Sequence, residues 1–205
     1  MRPISNFQQV LEAARDWAAR EHSKAGQTWD GGRPYADHLN AVEAVLRRFG
    51  FSDETNAVHQ TLLIAAHAHD LLEDTSVQPA TVRILLGPEV LELVAAVTNS
   101  PGKNRAERHA ATYPRIAATP WATTLKLADR LSNLEASRDS GGAHLEMYSK
   151  EYPGFRAALH RPDGPNMGLW AHMEGLFVAV GPSLLLKEPI ALRQPSTAIS
   201  VEPWF

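Results

Sequence analysis

Cysteine is absent from the 205 residues. That excludes a disulfide framework and any thiolate metal site, and it leaves imidazole and carboxylate as the side chains able to hold an ion. Neither sign of charge dominates: 20 Lys and Arg stand against 23 Asp and Glu, a net charge of −3. Nothing in that balance calls for a nucleic-acid polymer as partner. Long apolar runs are missing too. The opening Met1-Arg2-Pro3-Ile4-Ser5-Asn6 lacks the apolar centre of a signal peptide, and no stretch approaches the ~20 residues of a membrane span. These absences point to a cytoplasmic protein with no membrane partner. What remains is an ordinary globular composition, 44% hydrophobic and 21% charged, on a chain long enough to bury one good core.

Strand-like alternation is absent before residue 180, and the apolar periodicity is helical nearly throughout. Ser5 or Asn6 can cap a helix carrying Phe7, Val10, Leu11, Ala14, Trp17 and Ala18. Ala25 to Pro34 reads as a loop, and Pro34 suits the first turn of a helix running to about Phe49. A helix from near Asp53 or Glu54 is expected to end before Pro79. Shorter ones follow, up to Gly87 and from Pro88 to about Thr98. Arg105 to Ala118 is helical apart from an irregularity expected at Pro114, and Thr119-Pro120 opens the next helix. Two more, roughly His144–His160 and Met167–Val180, close an all-α bundle over residues 1–180. Residues 181–205 form a C-terminal extension in which Pro182, Pro189, Pro195 and Pro203 forbid a long helix. Its Leu184-Leu185-Leu186 run and terminal Trp204-Phe205 suit an arm packed on the body or reaching a neighbouring subunit of a homo-oligomer; the other reading is a disordered end.

The stretch His69-Asp70-Leu71-Leu72-Glu73-Asp74 carries the chemistry. It places four proton- or metal-handling groups inside an otherwise apolar helix led by Thr61 to Ala68. At 3.6 residues per turn they fall within a wedge of roughly 140°. Carboxylates among so much Leu, Ile and Ala are costly unless paired, hydrogen-bonded or bound to a cation. His38 upstream and Asp129 downstream complete an H…HD…D pattern drawn from three helices. Two imidazoles and two carboxylates suit Mn²⁺ or another divalent transition metal better than Mg²⁺ in an all-oxygen shell. Glu73 and Asp74 lie one turn beyond His69 and Asp70, placed to orient a water or relay its proton. Asn133 follows Asp129 by one turn on the same face. His67 points about 200° from His69 and reads as a core or surface histidine; His22 and the remaining histidines have no ligand-like company.

The words around these residues, PYxxH, HDxxEDT and KLADRLxNL, resemble the hydrolase domain of RelA/SpoT-type alarmone enzymes, the free-standing small alarmone hydrolases being nearest in size. The likeness runs from about Phe7 to about Val180. It implies an HD-domain helical bundle that hydrolyses the 3′-pyrophosphate of (p)ppGpp, a small-molecule nucleotide, usually with Mn²⁺. It implies His38, His69, Asp70 and Asp129 as metal ligands and Glu73 with Asp74 as the catalytic pair. Asn133 and Tyr148 are then expected beside the nucleotide, although Tyr148 is equally read as a core tyrosine. Among Lys103, Arg105 and Arg108, Arg108 matches a basic position of the family; each is as readily a solvated basic face.

One departure concerns the substrate. The family commonly places an Arg-Lys pair before Ser-Gly-Glu-Pro-Tyr, in contact with the guanine nucleotide. Here Trp29 and Asp30 stand at those positions, and Arg33 replaces the acidic residue before Pro34. Trp29 can stack on a base or anchor the loop by burial, and Asp30 would repel a phosphate. Two alternatives therefore stay open: an HD-type phosphohydrolase acting on another phosphorylated nucleotide, and a non-catalytic nucleotide-binding relative. The presence of all six metal and catalytic residues speaks against the second.

Overall fold

The computed structural model describes residues 2–140 and 143–178, the side chains of 143 and 144 excepted. Its first helix, α1 (Phe7–Lys24), buries Phe7, Leu11, Ala14, Ala18 and His22, a stripe at helical spacing. There follow α2 (Tyr35–Arg48), α3 (Ala57–Ala68), α4 (Leu71–Asp74), α5 (Pro79–Leu86), α6 (Pro88–Val97), α7 (Arg105–Ala118), α8 (Ala122–Ser140), α9 (Ala143–Leu159) and α10 (Met167–Val178). Asn56 caps α3 by accepting from Val58 N at 2.9 Å and His59 N at 3.3 Å, and Asn104 caps α7 through Glu107 N. Gly87, at φ +95°, ends α5 where Pro88 begins α6.

Some boundaries depart from the sequence expectation. α3 begins at Ala57 because Asp53 Oδ1 accepts from Thr55 N at 2.9 Å, a local turn that holds 53–55 outside the helix. Asn6 precedes α1 in a left-handed conformation and makes no side-chain cap bond. Pro34 stands one residue before α2, and α7 runs through Pro114. The loop before α2 contains a short antiparallel pair, β1 (Thr28–Trp29) with β2 (Arg33–Pro34), in which Trp29 faces Arg33. The Asp30-Gly31-Gly32 turn joining them has φ of +33°, +79° and +92°, which two glycines make tolerable. Two-residue strands are too short for alternation to register in the sequence. The extension at 181–205, and any oligomer formed through it, lie outside the described residues. Among the described residues no helix is long and apolar enough to cross a membrane.

α3 is the axis of the bundle, packed against α1, α2, α6 and α8. Every residue from Gln60 to Ala68 is buried, so the helix is enclosed all round rather than striped. A buried charged partner is supplied by α2. The buried Glu43 carboxylate accepts from His67 at 2.7 Å, Arg15 of α1 at 2.8 Å and Arg47 at 2.7 Å, which joins three helices at one side chain. Burial alone would raise the Glu43 carboxyl, but bonds from His67, Arg15 and Arg47 outweigh it and hold it at about 2 against an ordinary 4.5. The stabilisation is therefore present above pH 4.5 and is lost as pH falls through about 2. Glu43→Gln is expected to destabilise the fold by about 1–3 kcal/mol at neutral pH. Thermal unfolding of both proteins over a pH series checks this: the gap between them should close as the medium is acidified below pH 4.5.

Candidate metal and catalytic site

The site begins where the central helix breaks. The sequence suggests one helix running past Asp74, but α3 stops at Ala68 and α4 restarts at Leu71. His69 accounts for the break. Its Nδ1 lies 2.9 Å from Ala66 O, the carbonyl that an unbroken helix would offer to the Asp70 N–H. In a continuous helix neighbouring side chains diverge by about 100°. Here the turn lets His69 and Asp70 converge, with His69 Nε2 2.8 Å from Asp70 Oδ2. Asp70 O then accepts from the Glu73 and Asp74 N–H groups and starts α4.

α2 and α8 bring two more groups to this point. His38 Nε2 lies 3.3 Å from His69 Nε2, 3.5 Å from Asp70 Oδ2 and 3.4 Å from Asp129 Oδ1. Asp129 Oδ1 is 3.8 Å from His69 Nε2. Donor atoms sharing an ion at about 2.0–2.2 Å stand about 3.0–3.5 Å apart. His38, His69 and Asp129 offer atoms within 4.8 Å of one another, and Asp70 Oδ2 borders both imidazoles, a set that suits a divalent transition metal after small side-chain shifts. The outer nitrogens fix both rings. His69 Nδ1 donates to Ala66 O; His38 Nδ1 donates to Ser132 Oγ at 2.9 Å, whose own hydrogen goes to Asp129 O at 3.1 Å. With these outer bonds made, each ring when neutral turns an Nε2 lone pair inward.

Electrostatics agree that the point demands positive charge. Burial disfavours a charged His69, yet the Asp70 and Asp129 carboxylates override it and lift the imidazole to about 10. Burial likewise opposes charge on His38, and Asp129 and Asp70 raise it. Burial would raise Asp70 and Asp129, but His69 and His38 hold Asp70 far down, and Lys126 with the two histidines does so for Asp129. Protons and a metal ion are alternative ways of satisfying the same four side chains.

A second layer holds the first. Tyr35 Oη donates to Asp70 Oδ2 at 2.5 Å and stands 3.3 Å from Asp74 Oδ2, so one phenol spans a cluster carboxylate and a candidate catalytic one. Burial, then Asp70, raises that phenol far above its ordinary value and keeps it protonated. His22 stacks on Tyr35 at 4.2 Å and 20°, fully buried, with neither ring nitrogen partnered; burial lowers it to about 4 and it stays neutral. Asp74 is pushed up to about 6 by burial and by the nearby Asp70 and Glu73 charges. Glu73 is exposed, and Asn99 grips both its oxygens through N at 3.0 Å and Nδ2 at 2.8 Å. On the other side Lys126 Nζ bonds Asp129 Oδ2 at 2.7 Å, and Asn133 Nδ2 bonds Asp129 Oδ1 at 2.9 Å.

The remaining sequence candidates are placed unevenly. Trp29 Nε1 donates to Asn133 Oδ1 at 2.9 Å, and its ring tilts against that of His38 at 5.3 Å. Asp30 accepts from Ser140 Oγ at 2.7 Å. Tyr148 lies near enough for the Asp129 charge, after burial, to raise its phenol, and the Arg130 guanidinium sits 4.9 Å over its ring. Lys103 is exposed, and Arg108 has a buried Nε without a partner. Among the described residues neither side chain makes a hydrogen bond, ion pair or ring contact with the four-residue cluster. Sequence reasoning gave no role to Tyr35, Ser132 or His22. Tyr35 and Ser132 each stand three residues from a cluster member, on the same helix face, and His22 continues the apolar stripe of α1. Those were the available signals.

The HD domain family matches residues 14–154. The guanosine-3′,5′-bis(diphosphate) 3′-pyrophosphohydrolase MESH1 of Mus musculus is 33% identical over 183 residues, covering 88% of this chain and 99% of that protein. The Homo sapiens protein of the same name is 34% identical over 131 residues, 63% of this chain and 70% of its own. A solved structure described as a metazoan ortholog of SpoT that hydrolyzes ppGpp superposes with a TM-score of 0.69 at 26% identity, over 91% of this chain and 99% of that one. With both the site geometry and the full-length likeness in agreement, this chain belongs to the HD-domain family and stands in it beside the MESH1 proteins.

Proposed function

We propose that this protein is a divalent-metal-dependent phosphohydrolase that removes the 3′-pyrophosphate of guanosine polyphosphate alarmones, (p)ppGpp, releasing pyrophosphate and GDP or GTP, with Mn²⁺ as the ion. The observation that carries the reading is the convergence of His38, His69, Asp70 and Asp129, with Tyr35 tying Asp74 to the same point. The MESH1 relatives, named for this reaction, supply the substrate class.

His38, His69, Asp70 and Asp129 would hold the ion. When bound, it supplies Lewis acidity toward a phosphoryl oxygen and a water, and neutralises charge gathering on phosphorus. The protein's own groups do the rest. Tyr35 fixes the Asp70 carboxylate and keeps Asp74 at a set distance. Asp74, with its carboxyl raised to about 6, takes up and returns a proton close to neutral pH, where such exchange is most effective. Asn99 holds Glu73 in one orientation beside it. Lys126 neutralises the outer oxygen of Asp129 and leaves the inner one facing the histidines.

One observation favours a second reading within the same chemistry. Asn133, a candidate nucleotide contact, gives its amide oxygen to Trp29 and its amide hydrogens to Asp129. A site whose asparagine is so engaged suits a phosphorylated nucleotide that differs from ppGpp in the part this residue would touch.

Incubating the protein with Mn²⁺ and ppGpp and separating the products tests the proposal. Pyrophosphate and GDP are expected; untouched ppGpp beside a consumed 3′-phosphorylated adenine nucleotide would move the assignment to the second reading. Asp74→Asn is expected to lower kcat by about 10²–10⁴-fold while Mn²⁺ affinity stays within a few-fold of the parent, and kinetics with a parallel metal titration check both. An unchanged kcat would remove Asp74 from the chemistry.

A further inference from the structure

The β1–β2 hairpin is fastened to the metal site by a bond with a direction. Asn133 sits between Trp29 and Asp129. Its Oδ1 accepts from Trp29 Nε1 at 2.9 Å, and its Nδ2 donates to Asp129 Oδ1 at 2.9 Å and to Asp129 O at 3.1 Å. A primary amide can turn either end toward a neighbour, and the wrong end would set oxygen against the Asp129 carboxylate. An indole N–H can only donate. It therefore accepts one orientation of Asn133, with oxygen toward Trp29 and nitrogen toward Asp129. The Asp129 oxygen so addressed is Oδ1, which stands 3.4 Å from His38 Nε2, while Lys126 holds Oδ2.

The hairpin is built to keep the indole there. Ser140 Oγ bonds Asp30 Oδ1 at 2.7 Å, and Ser140 lies two turns beyond Asn133 on the same face of α8. On the α2 side, Arg33 pairs with Asp37 at 3.0 Å and rests its guanidinium 4.8 Å from the Trp29 ring. The half-buried ring tilts against His38 at 5.3 Å, so the residue touches two members of the cluster, one by packing and one through Asn133.

We infer that Trp29 is a positioning residue for the metal site: through Asn133 it orients Asp129 Oδ1 for the ion, and the β1–β2 hairpin is the latch that holds it in place. This rests on the metal reading of the cluster and not on the identity of the substrate. Partners of metal ligands typically set affinity by about 10–100-fold, and that is the scale on which this latch acts.

The test is Mn²⁺ affinity of the metal-stripped protein, read by the EPR signal of free Mn²⁺, for the parent, Trp29→Phe, Asn133→Ala and the double variant. Trp29→Phe keeps an aromatic ring beside Arg33 and His38 and removes only the donor. It is expected to raise the Mn²⁺ Kd about tenfold while the Tm of the metal-free protein stays within a few degrees. In the Asn133→Ala background the same change should add nothing, because the two act through one bond. Lys150→Ala, which removes an exposed cation paired with Glu146 on α9 and leaves the hairpin untouched, should bind Mn²⁺ as the parent does. A Trp29→Phe Kd within twofold of the parent would overturn the inference, as would equal weakening by Lys150→Ala, or a further loss in the double variant. A parent protein that takes up no Mn²⁺ would overturn the metal reading together with the latch, whereas normal Mn²⁺ binding with inert ppGpp would leave the latch standing and move only the substrate.

Discussion

Everything in this fold that bears on function depends on two carboxylates and two imidazoles being held within about one ion's reach of one another inside an apolar bundle. Four such groups cannot stay there uncompensated: an unpaired buried carboxylate costs several kcal/mol, and two together repel. The protein meets that cost with positive charge at the centre and fixed partners at the edge. Ser132 and Lys126 each take an outward-facing atom of a cluster residue. Tyr35 and Asn133 bond the very oxygens that face the imidazoles, Asp70 Oδ2 and Asp129 Oδ1. The break between α3 and α4 falls at the same point, with His69 and Asp70 meeting between the two helices.

The scaffold's rigidity is concentrated where the site requires it. α3 delivers His69 from the most enclosed helix, and the Glu43 junction pins that helix to α1 and α2, the elements carrying His22, Tyr35 and His38. His67 and His69, two residues apart, divide the work. One points back into a charged junction that fixes the helix, and the other forward into the cluster. α8 serves both layers, giving Asp129 to the cluster and Lys126, Ser132 and Asn133 to its support.

Much of this was legible in the chain, and the pattern of what was not has physical causes. Helix existence and most ends followed from period 3.6 and from punctuation such as Gly87-Pro88. His69 and Asp70 followed from the cost of placing ionisable groups in an apolar helix, and His38 and Asp129 from the H…HD…D pattern that the RelA/SpoT resemblance supports. The break at His69 was hidden because Leu71 and Leu72 continue an apolar run, and no Gly or Pro marks the stop; a side chain competing for a backbone carbonyl leaves no compositional trace. The Trp29–Asn133 bond joins residues 104 positions apart, beyond any local signal. His22 was readable as one more member of the α1 stripe, but its place behind Tyr35 depended on how α1 meets α2. Asp30 stood out only as a missing cation; its bond to Ser140 is a matter of tertiary packing.

The central claim is that one divalent ion sits among His38, His69, Asp70 and Asp129. Anomalous diffraction at the manganese edge from crystals grown with Mn²⁺ tests it most directly. A single strong peak is expected at about 2.0–2.3 Å from the two Nε2 atoms and from Asp70 and Asp129 oxygens. A peak bound elsewhere, or an empty cluster at saturating Mn²⁺ with the four side chains ion-paired to one another, would contradict it.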